Sequence, residues 1–207
     1  MSIAKKSTEP TEPYQPGVYM LTGVNGIGKS TIIDAISSVH PEIVPLHASQ
    51  ELSKLFHGIS REEMELLAPE EKLGRMVIRF TSIFERVLDA NKAVMLDTHL
   101  LVPIRKDNTL VYEDIWSDEY SPYVNSMAML TAIPESIRTW RLNDEKVTGR
   151  KRNTSTNDIA LDQSVNQARF NDLRASGVLA THSGIVENTN NQLAGTQSAI
   201  EGIFRNI

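Results

Sequence analysis

Nine consecutive residues, Gly23-Val24-Asn25-Gly26-Ile27-Gly28-Lys29-Ser30-Thr31, carry the densest chemistry in the chain. They fit a pattern in which two glycines are separated by four residues and the second is followed by lysine and a hydroxyl residue. Glycines let a backbone turn tightly and aim successive N–H groups at phosphate oxygens. A helix opening near Lys29 would add its positive N-terminal end. In such a loop the lysine reaches the β- and γ-phosphates of a nucleotide and the hydroxyl residue ligates Mg2+. Gly23, Asn25, Gly26, Ile27, Gly28, Lys29, Ser30 and Thr31 are therefore the expected binding residues for ATP, with Ser30 a metal ligand.

Two further groups of residues narrow the chemistry. Asp97 closes the apolar run Ala93–Leu96 and is the candidate carboxylate for Mg2+, acting through water or Ser30. Thr98 follows it, where many P-loop hydrolases keep a Glu to activate water. Asn91-Lys92 runs on into Ala93-Val94, so no Asn-Lys-x-Asp stretch marks a guanine-specific switch. A transporter-type signature is also missing, and phosphoryl transfer remains. The basic cluster Arg138, Arg141, Lys146, Arg150, Lys151 and Arg152 suits that chemistry. Planar, permanently charged guanidinium groups on a closing loop answer the charge that spreads over a transferring phosphoryl group. Closure would also exclude water.

The elements that must position these groups follow from periodicity. Val18–Thr22, Ile43–Leu46, Ala93–Leu96, Ser126–Ala132 and Gly184–Glu187 read as short buried strands. Ser30–Val39, Pro134–Leu142, Ile159–Ser176 and Gln192–Phe204 read as helices. Residues 47–91 are helical in pattern, apart from their first few positions, and residues 143–157 are polar and aperiodic. Strands alternating with helices imply a parallel sheet covered on both faces. The expected fold is a three-layer α/β P-loop domain over residues 17–207. It has a helical acceptor-binding insert at about 47–91 and a lid at about 143–157.

Composition sets outer limits. The chain has 207 residues, 40% of them hydrophobic, enough for one well-buried domain. Its formal net charge of -5 argues against a general affinity for nucleic-acid backbone. Without cysteine it has neither a disulfide framework nor a Cys-based metal site. Residues 1–16 are polar, include Pro10, Pro13 and Pro16, and read as a disordered tail. No secretory core or membrane-length apolar run is present, so a soluble, cytoplasmic setting is expected.

These residues resemble those of the archaeal-type adenylate kinases, small P-loop nucleoside monophosphate kinases. The likeness lies in Leu21–Val24, Gly26–Thr31, the Met95–His99 stretch MLDTH, the Trp140–Asn153 segment and Ile185–Asn188. It implies that Lys29, Ser30 and Asp97 serve Mg·ATP and that Arg141, Arg150 and Arg152 serve the transferring group. It also implies that the 47–91 insert holds the acceptor, with Arg61, Arg75 and Arg79 as phosphate contacts. His99 is a candidate substrate contact and Arg169 a weaker active-site candidate. A homo-oligomer is a further implication. The chain departs from the family at residues 100–120, where Lys106–Asn108 could turn between LLVPIR and TLVYEDIW. The acceptor therefore stays open. It is a nucleoside monophosphate, a small-metabolite hydroxyl, a nucleoside or a polynucleotide end. A nucleotide-dependent switch is the reading from another functional class.

Overall fold

Alternate residues of a strand face opposite sides of a sheet, so a strand covered on both sides must be apolar at every position. Strand β1 (Gly17–Thr22) meets that condition, with all six residues buried. Val18 and Met20 join one core cluster, while Tyr19 and Leu21 join the other. Strand β3 (Ala93–Asp97) divides likewise, Val94 and Leu96 against Ala93 and Met95. This computed structural model describes residues 12–59, 67–106, 109–149, 151–179, 182–189 and 192–205.

Among the described residues a parallel five-stranded sheet runs in the order β2-β3-β1-β6-β7. Strand β2 (Ile43–His47) lies at one margin, with Pro45 opposite Met95. Strands β6 (Val124–Thr131) and β7 (Ser183–Glu187) complete the other half. Helix α1 (Lys29–Val39) and helix α6 (Leu193–Arg205) cover one face through Ile32, Ile33, Ile36, Ile200 and Phe204. On the other face lies α3 (Pro69–Asp89), which buries Met76, Val77, Phe80, Ile83, Phe84 and Val87. It starts on Pro69 with Glu70 and Glu71 in its first turn, as a helix N-terminus favours. Helix α5 (Thr156–Ala175) adds Phe170 and Leu173 to the same cluster. This is the expected three-layer P-loop fold. No helix among the described residues is long and apolar enough to cross a membrane.

Three expectations about the elements need correction. Within the insert expected at 47–91, α2 (Ala48–Leu55) is short and α3 is part of the layer that covers the sheet, while residues 60–66 lie outside the described residues. The helix opening at Pro134 does not stop at Leu142. As α4 (Pro134–Thr148) it continues until Gly149, whose φ of 71° lets its N–H close on the Glu145 carbonyl. Residues 143–148 lack an apolar repeat because this end of the helix projects into solvent, with Val147 85% exposed. Of the lid expected at 143–157, residues 143–148 and 156–157 are helical, and the connector between the helices ends on the Ser155 cap. The tail expected to be disordered, residues 1–16, is packed onto the domain at Tyr14. Tyr14 is buried edge-on against Tyr19 and His40, with ring centroids 5.2 Å away in each case. Its N–H donates to Glu42 at 3.1 Å.

The segment that departs from the resembled family forms a hairpin, β4 (Leu101–Lys106) antiparallel to β5 (Thr109–Asp114). Residues 107 and 108, where the turn was expected, lie outside the described residues. The hairpin is held between two helices. On α5, Asn166 bonds both backbone groups of Leu101, at 3.0 and 3.3 Å, and Asp162 accepts from the Tyr112 hydroxyl at 2.7 Å. On α3, Lys72 reaches Glu113 at 2.8 Å.

Candidate active site

In an open parallel sheet, the loops beyond the carboxyl ends of the strands form the natural crevice. Here β1 delivers Gly23–Gly28, β2 ends on His47, β3 ends on Asp97, and β7 is followed by Asn188. A cavity of about 710 Å3 opens there, floored by Asn25–Thr31 and walled by Ser49, Asp97, His99, Trp140, Arg152 and Asn188.

Lys29 is 5% exposed, and its ammonium donates to the carbonyls of Gly23 at 2.9 Å and Val24 at 3.2 Å. It lies 3.6 Å from Asp97. Burial pulls the Lys29 amine below the usual lysine range, with Asp97 opposing. The Ser30 hydroxyl donates to the other Asp97 oxygen, Oδ2, which His47 Nδ1 also approaches at 3.5 Å. His47 Nε2 stands 3.2 Å from Asp34 on α1. Among the described residues no group of three or more His, Asp or Glu could hold a metal ion alone. One hydroxyl and one carboxylate beside a phosphate-sized space nevertheless fit Mg2+, which usually takes one or two carboxylates and completes its shell with phosphates and water.

The loop's carbonyls are fastened from outside. His99 Nδ1 donates to the Gly23 carbonyl at 2.7 Å. Burial, helped by the Lys29 charge, lowers its imidazole below the ordinary histidine range. Asn188 donates to the Ile27 carbonyl at 2.7 Å and accepts from Thr196. Arg141 donates through Nε and Nη2 to the Asn25 carbonyl, at 3.0 and 2.7 Å, and through Nη1 to the Asn153 carbonyl at 2.6 Å. Burial lowers the Arg141 guanidinium, while the charge of Asp162 opposes that shift. Burial pushes the Asp162 carboxyl up, against the Tyr112 hydrogen bond and Arg141.

The expected site residues thus separate into groups. Asn25 to Thr31, Asp97, His99 and Arg152 meet at one cavity, and Gly23 anchors the loop's first turn. Arg152 is paired there with Asp144. Arg141 is 3% exposed and stands behind the loop rather than on the cavity wall. Arg75 is bound to Glu71 at 2.6 Å, and Arg79 to the buried Glu51 at 2.6 Å, both away from the cavity. Arg169 pairs with Asp114 of the hairpin at 2.8 Å. Arg61 and Arg150 lie outside the described residues. The sequence reading gave no role to His47, Asn188 or Trp140. The first two were within reach of a rule, since polar residues at the carboxyl ends of parallel strands face the crevice.

Comparison with solved structures bears on the fold. The thymidylate kinase of Candida albicans aligns at a TM-score of 0.59 and 11% identity, over 93% of this chain and 92% of that one. The fold is that of the P-loop kinases. A shikimate kinase from Bacteroides thetaiotaomicron aligns at 0.50 and 12% identity, covering 90% and 97% of the two chains. A gluconokinase from Sinorhizobium meliloti 1021 does so at 0.50 and 13%, covering 92% and 93%. No family model and no curated protein sequence matches the chain. At these identities the likeness concerns the P-loop kinase fold and leaves the acceptor undetermined.

Proposed function

We propose that the protein is an ATP-dependent phosphotransferase that holds Mg·ATP on Gly23–Thr31 and passes the γ-phosphate to a nucleotide, a nucleoside monophosphate. One observation carries this reading: Lys29, Ser30, Asp97 and Arg152 converge on a single cavity floored by the glycine-rich loop. Loop N–H groups and the α1 N-terminus would cradle the polyphosphate. Lys29 would turn from its own loop's carbonyls to the phosphates, and Arg152 would exchange Asp144 for the transferring group. Trp140 offers an aromatic face for a base at the cavity wall. Ser30 and Asp97 would hold Mg2+, which when bound neutralises phosphate charge.

The test is a coupled ADP-release assay with Mg·ATP against AMP, CMP, UMP, dTMP and GMP. Turnover with one of them is expected, reduced about 100-fold or more in Lys29→Ala, the scale seen when a single transition-state donor is removed. Equal background rates with all five, while Mg·ATP still binds, would overturn the acceptor assignment. A second reading then gains weight, a hydroxyl acceptor with Asp97 as the base. The pairing of Arg75 with Glu71 and of Arg79 with Glu51 favours it, because two of the three cations expected for an acceptor phosphate are already neutralised.

A further inference from the structure

A guanidinium buried as deeply as that of Arg141 must find hydrogen-bond acceptors, because an unsatisfied buried charge is strongly unfavourable. Its acceptors here are two backbone carbonyls, Asn25 on the phosphate loop and Asn153 on the connector that carries Arg152. A planar trans peptide unit points its C=O and its N–H in opposite directions. With the Asn25 carbonyl turned onto Arg141, the N–H of Gly26 is turned away from it. Gly26 borders the cavity and Arg141 does not. Side chain and loop are also fitted sterically. Gly26 has a φ of 76°, and a Cβ placed there would lie 2.8 Å from Arg141 Cγ.

We propose that Arg141 is a positioning residue of the phosphate loop: by holding the Asn25 carbonyl outward it keeps the Gly26 N–H aimed into the cavity, without touching phosphate itself. The same guanidinium fixes the connector at Asn153, so the loop and Arg152 are registered against one another through one side chain. Three donors in a rigid fork suit this task, and a lysine could satisfy it only in part. The proposal rests on the reading of Gly23–Thr31 as a phosphate site.

The test compares wild type, Arg141→Gln and Arg141→Lys as full chains, first without nucleotide. Amide hydrogen exchange is followed at Gly26 and across the chain, in the free proteins and then at saturating magnesium tripolyphosphate, and affinities are titrated for Mg·ATP and for magnesium tripolyphosphate. In wild type the bound polyphosphate is expected to protect the Gly26 amide; in saturated Arg141→Gln that protection should be lost selectively, with a smaller loss in Arg141→Lys. Both affinities should fall by a common factor of about ten, because loss of hydrogen bonds to a charged group costs at least that much. Unchanged Gly26 protection at saturation with weakened affinities would make Arg141 a direct phosphate ligand and overturn the proposal. Protection falling equally at all amides, or no change in either quantity, would reduce Arg141 to packing and overturn it too. If Arg141→Gln does not fold, Arg141→Lys carries the same comparison. Failure of the wild type to bind either polyphosphate would sink the nucleotide reading, and this proposal with it.

Discussion

At Gly26 conformation and space are both restricted, since its φ of 76° is left-handed and Arg141 Cγ occupies the place of a side chain. Gly26→Ala is expected to cost about 2 kcal/mol, combining left-handed strain with a displaced neighbour. Denaturant unfolding would measure the cost, and a Mg·ATP titration should weaken in parallel. At this scale the pattern of the loop named Lys29, Ser30 and their neighbours, because glycine spacing and residue type determine what such a loop can do. Asp97 was legible from its place at the end of an apolar run. For His47 and Asn188 the sequence offered only the general rule about strand ends, since His47 meets Asp97 and Asn188 meets the loop only through the order of the sheet. Arg75 and Arg79 were misleading for a different reason. A sequence shows where cations are, but not that Glu71 and Glu51 already engage them.

Among the elements, the hairpin β4–β5 depends on Asn166, which is 2% exposed and satisfies both backbone groups of Leu101. Asn166→Ala leaves these groups unpaired and is expected to cost about 1–3 kcal/mol, read as a lower denaturation midpoint with an unchanged slope. The junction of α2 with α3 carries an ion-pair cluster beside its apolar packing. The Lys54 ammonium and the Arg79 guanidinium hold the Glu51 carboxyl below its ordinary 4.5, against the opposing effect of burial. A carboxyl lowered in the folded state stabilises above its unfolded value and loses that contribution as pH falls through its folded one. The melting-temperature gap between wild type and Glu51→Gln should therefore be widest above pH 4.5 and narrow below it. Strand positions were legible because each apolar run is short and bounded. The end of α4 was not, because a solvated helix end built from Asn143–Lys146 looks like a loop when only apolar repeats are counted.

Across the whole molecule the chain is tied together at the sheet end opposite the cavity. Tyr14 packs between β1 and α1, with the Arg205 guanidinium 4.6 Å from its ring centre and bonded to the Glu12 carbonyl. Tyr14→Ala is expected to cost about 3 kcal/mol, which lowers the melting temperature by roughly 6–12 °C in a domain of this size. Such a loss would show that the packed domain begins before Gly17, where a polar, proline-bearing composition had concealed a single anchoring aromatic. The fold class itself was legible throughout, since alternating strand and helix signals leave little choice but a parallel sheet between two helical layers. Pro45 has a consequence of another kind. Among the described residues strand β2 borders no further strand, and a bare strand margin is a template on which a neighbouring chain can add its own backbone. Proline midway along that margin offers no hydrogen to an incoming strand, so the sheet is protected from growth by self-association at the side where its ladder ends.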